Sequence, residues 1–179
     1  MSNRLTIILL ILISFSSSAF AQSDDPLGCA TEKSKTLAFM VGEWKVRSNF
    51  RTSRRDNKWE KTEATSVIKQ RFKECVYEEL LTGERNGRPH QLLGLYSYNN
   101  LSDKLQWVGG HSEHGVLTLY EGEFVDDELI LEYSMMLRSR LIHFRIVITK
   151  TREGFDLRSE RSSDKKLWDA GWYRNYKKI

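Results

Sequence analysis

From Trp44 onward, apolar and polar side chains alternate with the period of two that belongs to half-buried strands. Turn chemistry interrupts that alternation roughly every 8 to 12 residues, the spacing of an all-β barrel or sandwich. The interruptions fall at Asp56-Asn57, the Lys73-Glu74 corner, Asn86-Gly87, Asn99 to Asp103, Glu113 to Gly115, Asp126-Asp127, Ser139, Glu153-Gly154 and Ser162 to Lys166. Asn86-Gly87 is the most specific, because a type I′ turn needs positive φ at both central residues. Nine turns joining ten strands, all neighbours in sequence, predict an up-and-down antiparallel β-barrel.

The same alternation assigns faces. In the first strand Trp44, Val46, Ser48 and Phe50 share one side, and the charged Lys45, Arg47 and Arg51 share the other, so the first set is predicted to face inward. Leu129, Leu131, Tyr133, Met135 and Leu137 line up likewise in the seventh strand. The eighth places Ile142, Phe144, Ile146 and Ile148 inside and His143 and Arg145 outside, and the ninth places Phe155, Leu157, Ser159 and Arg161 inside. Ser48, Gln70, Ser159 and Arg161 therefore fall on interior faces, where polar groups need partners or a ligand's polar end.

A barrel of ten strands is harder to fill with side chains than one of eight, so a cavity is expected. Its candidate lining is Phe50, Gln70, Tyr133, Met135, Phe144 and Arg161, aromatic and aliphatic with a few polar points, which suits a small hydrophobic or amphipathic molecule. The Arg161 guanidinium matches a carboxylate in shape. The alternative for Arg161 is the barrel mouth, reaching water or stacked on Trp168 or Trp172.

Ahead of the barrel, residues 1–21 read as a signal peptide: Met1 to Arg4 carries one positive charge, Leu5 to Phe15 is a short apolar run, and Ala19-Phe20-Ala21 presents small residues for cleavage before Gln22. Residues 22–41 form an N-terminal segment in which Thr31 to Met40 is the helix candidate, with Thr31 as N-cap, predicted to cover one barrel mouth. Residues 42–179 form the barrel. Export to a bacterial periplasm or the extracellular space would favour pairing of the only two cysteines, Cys29 and Cys75.

Charge narrows the function classes. The chain carries 28 basic and 24 acidic residues, and loss of Arg4 with the leader leaves 27 against 24. That mild balance, with acids interspersed, predicts a solvated surface; nucleic-acid binding is not expected from Arg51, Arg54, Arg55 and Lys177-Lys178. Nor is stable membrane insertion expected after the leader is removed, and a monomer or weak homodimer is the expected state. No nucleophile elbow or phosphate-cradling loop is present. Glu78 and Glu79 are adjacent on a strand and face opposite ways, so they cannot act as a facing pair; whichever points inward would be a buried acid. His111-Ser112-Glu113-His114 lacks further ligands with metal spacing and reads as a hydrated turn, and His90, beside Pro89, as a loop residue.

From Cys29 to the C-terminus the chain resembles DUF1579, a family of small exported bacterial proteins in the lipocalin-like or calycin superfamily. The marks are Cys29 ahead of the helix, Phe39-Met40-Val41-Gly42-Glu43-Trp44-Lys45-Val46, Cys75-Val76-Tyr77-Glu78-Glu79, Gly94-Leu95-Tyr96-Ser97-Tyr98, Lys104-Leu105-Gln106-Trp107, and Glu160-Arg161-Ser162-Ser163-Asp164 followed by Trp168. Lys165-Lys166 departs from the pattern, where relatives often carry glycine. The resemblance implies a barrel and no established activity. Gly42-Glu43-Trp44 also resembles the opening motif of lipocalins and of haem-binding nitrobindin-like barrels. The first of these implies that Trp44 packs across the closed end beneath a late-strand arginine, Arg174. The second implies a late-strand histidine such as His143 as haem ligand, which the face count opposes unless a β-bulge reverses parity.

These expectations converge on an exported, non-catalytic lipocalin- or fatty-acid-binding-protein-like barrel holding a small hydrophobic or amphipathic ligand, with no cofactor and no metal. The competing class is an interaction module whose interior is filled by its own aromatic side chains.

Overall fold

A computed structural model describes residues 28–113 and 115–179. The leader expected at residues 1–21 and His114 lie outside those residues. A four-residue helix α1, Glu32–Lys35, and a 3-10 turn, Ala38–Met40, precede ten strands. These are β1 Gly42–Ser53, β2 Lys58–Arg71, β3 Val76–Arg85, β4 Arg88–Asn99, β5 Lys104–His111, β6 Thr118–Val125, β7 Glu128–Leu137, β8 Arg140–Lys150, β9 Gly154–Ser162 and β10 Asp169–Lys178. Each strand pairs antiparallel with its sequence neighbours, and β1 pairs with β10 to close the barrel. The expected fold class is the one found.

Local chemistry explains the hairpins. Asn86 and Gly87 have φ of 52° and 69°, the left-handed pair that a type I′ turn requires. The β7–β8 hairpin uses the same geometry without glycine, Arg138 and Ser139 taking φ of 48° and 64°. Because consecutive turns alternate ends, those after β2, β4, β6 and β8 lie at the end where the chain enters and leaves the barrel. The turns after β1, β3, β5, β7 and β9 form the opposite, open end.

The N-terminal segment covers the closed end, though not as the single helix expected over Thr31 to Met40. Thr31 caps α1 in a reciprocal box with Ser34, and the α-helix stops at Lys35. The chain then tightens into the 3-10 turn, and Leu37 and Met40, three residues apart, are both fully buried over the barrel. Beneath them the Trp44 Nε1 donates to the Met40 carbonyl at 2.8 Å, and the ring meets Phe155 edge-on with centroids 5.1 Å apart. Gly154 makes that seat possible: a Cβ there would stand 2.8 Å from the Trp44 ring and 2.1 Å from the Tyr176 carbonyl oxygen. The Cys29–Cys75 disulfide, Cα atoms 5.1 Å apart, ties the segment to the turn after β2, and such a cross-link belongs to a non-reducing environment.

Candidate functional site

The barrel interior divides into two halves. Toward the closed end it is filled: Trp44, Val46, Ile68, Tyr77, Leu129, Leu131, Ile148, Phe155 and Tyr176 are buried in one continuous core. Each large apolar side chain removed from water there contributes roughly 1.5–3 kcal/mol. Toward the open end the side chains stop meeting, leaving a cavity of about 480 Å³.

Two different walls enclose that cavity. Trp107, Tyr120, Tyr133 and Phe144, one inward residue from each of β5, β6, β7 and β8, make a continuous aromatic wall. Trp107 and Tyr120 pack edge-on at 5.3 Å, Tyr120 and Tyr133 at 4.5 Å, and Tyr133 stacks on Phe144 at 4.8 Å. Gly109 clears room for it, since a Cβ there would fall 2.1 Å from the Trp107 ring. Burial, and then the neighbouring Tyr133, push the Tyr120 hydroxyl far above the usual phenol range, so this wall stays uncharged.

The facing wall is basic. On β10, Arg174 is only 5% exposed, its guanidinium lying over Trp172 at 4.4 Å and Phe50 at 5.7 Å, and its Nε is buried without a hydrogen-bond acceptor. At the mouth Arg51 and Arg54 both pair with Asp169, and the Arg161 Nε stands 3.9 Å from the same carboxylate. Three guanidiniums thus share one counter-charge. Desolvation first, then Arg161, lower the Arg54 pKa against the pull of Asp169. A bulge between Ala170 and Trp172 sets Gly171 into the wall, and the Arg54 Nη2 reaches within 3.3 Å of where its Cβ would be.

His90, read from sequence as a loop residue, is instead on β4, 4% exposed and part of the cavity lining. Its Nδ1 lies 3.3 Å from Glu113 Oε1, within ion-pair distance but without hydrogen-bond geometry, and neither ring nitrogen has a hydrogen-bond partner. Burial first, then Arg174, hold the imidazole below its usual range, with Glu113 opposing. The His111 ring is 5.9 Å from that of His90 and also borders the cavity. Among the described residues no group of three His, Cys, Asp or Glu side chains is placed to hold a metal ion.

Below the cavity floor sits a buried carboxylate. Glu79, 1% exposed, accepts from Ser66 Oγ at 2.9 Å, the Tyr96 hydroxyl at 3.0 Å and the Tyr176 hydroxyl at 2.8 Å. Burial, and then the Glu79 charge, raise the Tyr96 and Tyr176 hydroxyls well above the usual phenol range. Both therefore remain hydrogen-bond donors. The Arg174 charge opposes that rise at Tyr176, so the arginine and the carboxylate act on the same phenol. Glu78 faces outward and pairs with Arg71 at 2.7 Å.

Of the candidate lining residues, Phe50, Tyr133, Phe144 and Arg161 do border the cavity. Gln70 does not: it keeps the inward parity of Ile68 but lies at the closed-end tip of β2, exposed. Met135 likewise has inward parity yet stands exposed toward the β7–β8 tip, above the cavity. The Trp44–Arg174 pairing is replaced as well. In register Trp44 faces Lys178 and Arg174 faces Ser48, which separates them by about 13 Å along the wall at about 3.3 Å per residue. His143 stays on the outer face, its Nδ1 2.7 Å from Ser134 Oγ, so it does not reach the cavity. No family model matches the chain, and no curated protein matches it.

Proposed function

We propose that the open half of the barrel binds a small amphipathic molecule with an anionic head, without catalysis. The observation that carries this is the two-sided lining: an uncharged aromatic wall from β5 to β8 facing a basic wall on β9, β10 and β1. A volume of about 480 Å³ falls inside the range of about 300–1,000 Å³ usual for small-molecule sites. The apolar body would lie against Tyr120, Tyr133 and Phe144. A carboxylate or similar head would pair with the Arg174 guanidinium, whose Nε has no acceptor, with the neutral His90 ring beside it. The sequence offered Arg161 for that role; Arg161 shares Asp169 at the mouth, whereas Arg174 is deep and has a free donor.

Grouping with DUF1579-type barrels is proposed on the resemblance alone, and an exported location is proposed on the Cys29–Cys75 disulfide. A filled interaction module, the competing class, accounts for the closed half only. Native mass spectrometry of the protein purified from its own compartment tests the reading. A released amphipathic anion at one per chain is the expected result. A bare protein mass, together with failure to take up any added amphipathic anion, would refute it.

A further inference from the structure

The two ends of the barrel differ in their net charge. The open-end turns carry Arg54, Arg55, Arg138, Lys165 and Lys166 against three acids, Asp56, Glu113 and Asp164. The closed end is balanced: Lys73 and Arg152 in the turns, Lys33 and Lys35 in the covering segment and Lys177 and Lys178 at the end of β10 stand against Glu32, Glu74, Asp103, Asp126, Asp127 and Glu153. Apolar side chains protrude from both ends: Leu117 and Leu167 are 71% and 81% exposed at the open end, and Phe72 and Leu101 are 78% and 91% exposed at the closed end. Exposure therefore does not choose between the ends. Charge does.

Between the tips of the β7–β8 and β9–β10 hairpins the open rim holds a groove of about 580 Å³, lined by Leu137, Ile142 and Leu167 together with Arg138, Arg140, Arg161 and one acid, Asp169. Arg138 and Arg140 enter no ion pair among the described residues. Arg161 borders both this groove and the interior cavity, so the two adjoin at the open end.

We infer that the open end docks on the surface of an anionic lipid bilayer, with Arg138 and Arg140 on headgroup phosphates and Leu117, Leu137 and Leu167 at the acyl boundary. Guanidiniums and leucines interleaved on one rim match the layered chemistry of that surface, where basic residues gain from anionic lipid and apolar ones from shallow burial. The closed end, with bases and acids in balance, gains nothing comparable from that surface, which fixes the orientation. Docking of this kind is peripheral and needs no spanning segment. It would set the cavity mouth against a source of amphipathic molecules, but it rests on the rim alone and stands whatever the cavity holds.

Flotation with vesicles of mixed phosphatidylglycerol and phosphatidylcholine, against phosphatidylcholine alone, tests it on the full oxidised chain. Wild-type protein is expected to float with the anionic vesicles only, and less as salt rises. Arg138→Glu/Arg140→Glu is expected to weaken binding at least tenfold, while Lys73→Glu/Arg152→Glu, the same charge change at the other end, leaves it within twofold or strengthens it. Leu117→Ser/Leu167→Ser is expected to weaken it with the salt dependence intact. All sites are exposed, and matching urea midpoints confirm folding. Equal loss in the two charge variants, unchanged binding in the rim variant, or no binding to anionic vesicles would each overturn the inference.

Discussion

A carboxylate as deeply buried as Glu79 is tolerable only because Ser66, Tyr96 and Tyr176 all donate to it. Glu79→Ala strands three hydroxyls in the core and is expected to lower stability by about 3 kcal/mol or more, whereas Tyr176→Phe removes one bond to a charged group, worth about 1.5–3 kcal/mol. Urea unfolding measures both, and a loss below about 1 kcal/mol for Glu79→Ala would contradict the network. His90 gives a pH signature. Its folded pKa is depressed, so between that value and the unfolded value of about 6.5 the unfolded chain binds more protons. Its contribution is fully present above about pH 6.5 and is lost as pH falls toward the folded pKa. His90→Gln is accordingly expected to lose less stability than wild type between pH 7.5 and pH 5.5, and identical losses would contradict the assignment. Neither residue was fully legible in the sequence. Leu80 and Leu81 put apolar groups on both faces of β3, so parity did not say which glutamate was inside. Pro89 suggested a loop around His90, yet the two-residue Asn86-Gly87 turn starts β4 at Arg88 and gives His90 the inward parity of Leu92 and Tyr96.

At the scale of elements, strands and turns were legible because alternation and turn chemistry are local. All nine interruptions in the pattern are turns in the structure. What alternation does not report is height along the barrel axis. Gln70 and Met135 have the inward parity expected of them, but they sit near opposite ends of the barrel, where an inward direction still meets solvent. The covering helix was misjudged for a related reason: α-helical spacing depends on what lies underneath, and burying Leu37 and Met40 together favours the 3-10 rise. This short cap has little stability of its own and relies on the Cys29–Cys75 bridge across 46 residues, worth roughly 4 kcal/mol by chain entropy. Cys29→Ser/Cys75→Ser is expected to lower the unfolding free energy by about that amount and to speed amide exchange in residues 31–41. Unchanged stability and protection would show that the cap holds without its cross-link.

At the scale of the whole molecule, strand number anticipated a cavity, and the residues that fill the closed half decided where it lies. Trp44, Phe155 and Tyr176 occupy one end completely, so the remaining space opens at the other end between the aromatic and basic walls. That arrangement depends on contacts between residues far apart in sequence, such as Tyr176 with Glu79 across 97 positions and Arg51 with Asp169 across 118, which no local pattern encodes. The central claim is that this space selects an anionic head on an apolar body through Arg174. Calorimetric titration with decanoate and with decanol, which share a chain and differ in head charge, tests it most directly. The account predicts one decanoate per protein, bound about tenfold or more tighter than decanol, with Arg174→Gln removing the difference. Equal affinity for the two, no binding of either, or a preference that survives Arg174→Gln would contradict it.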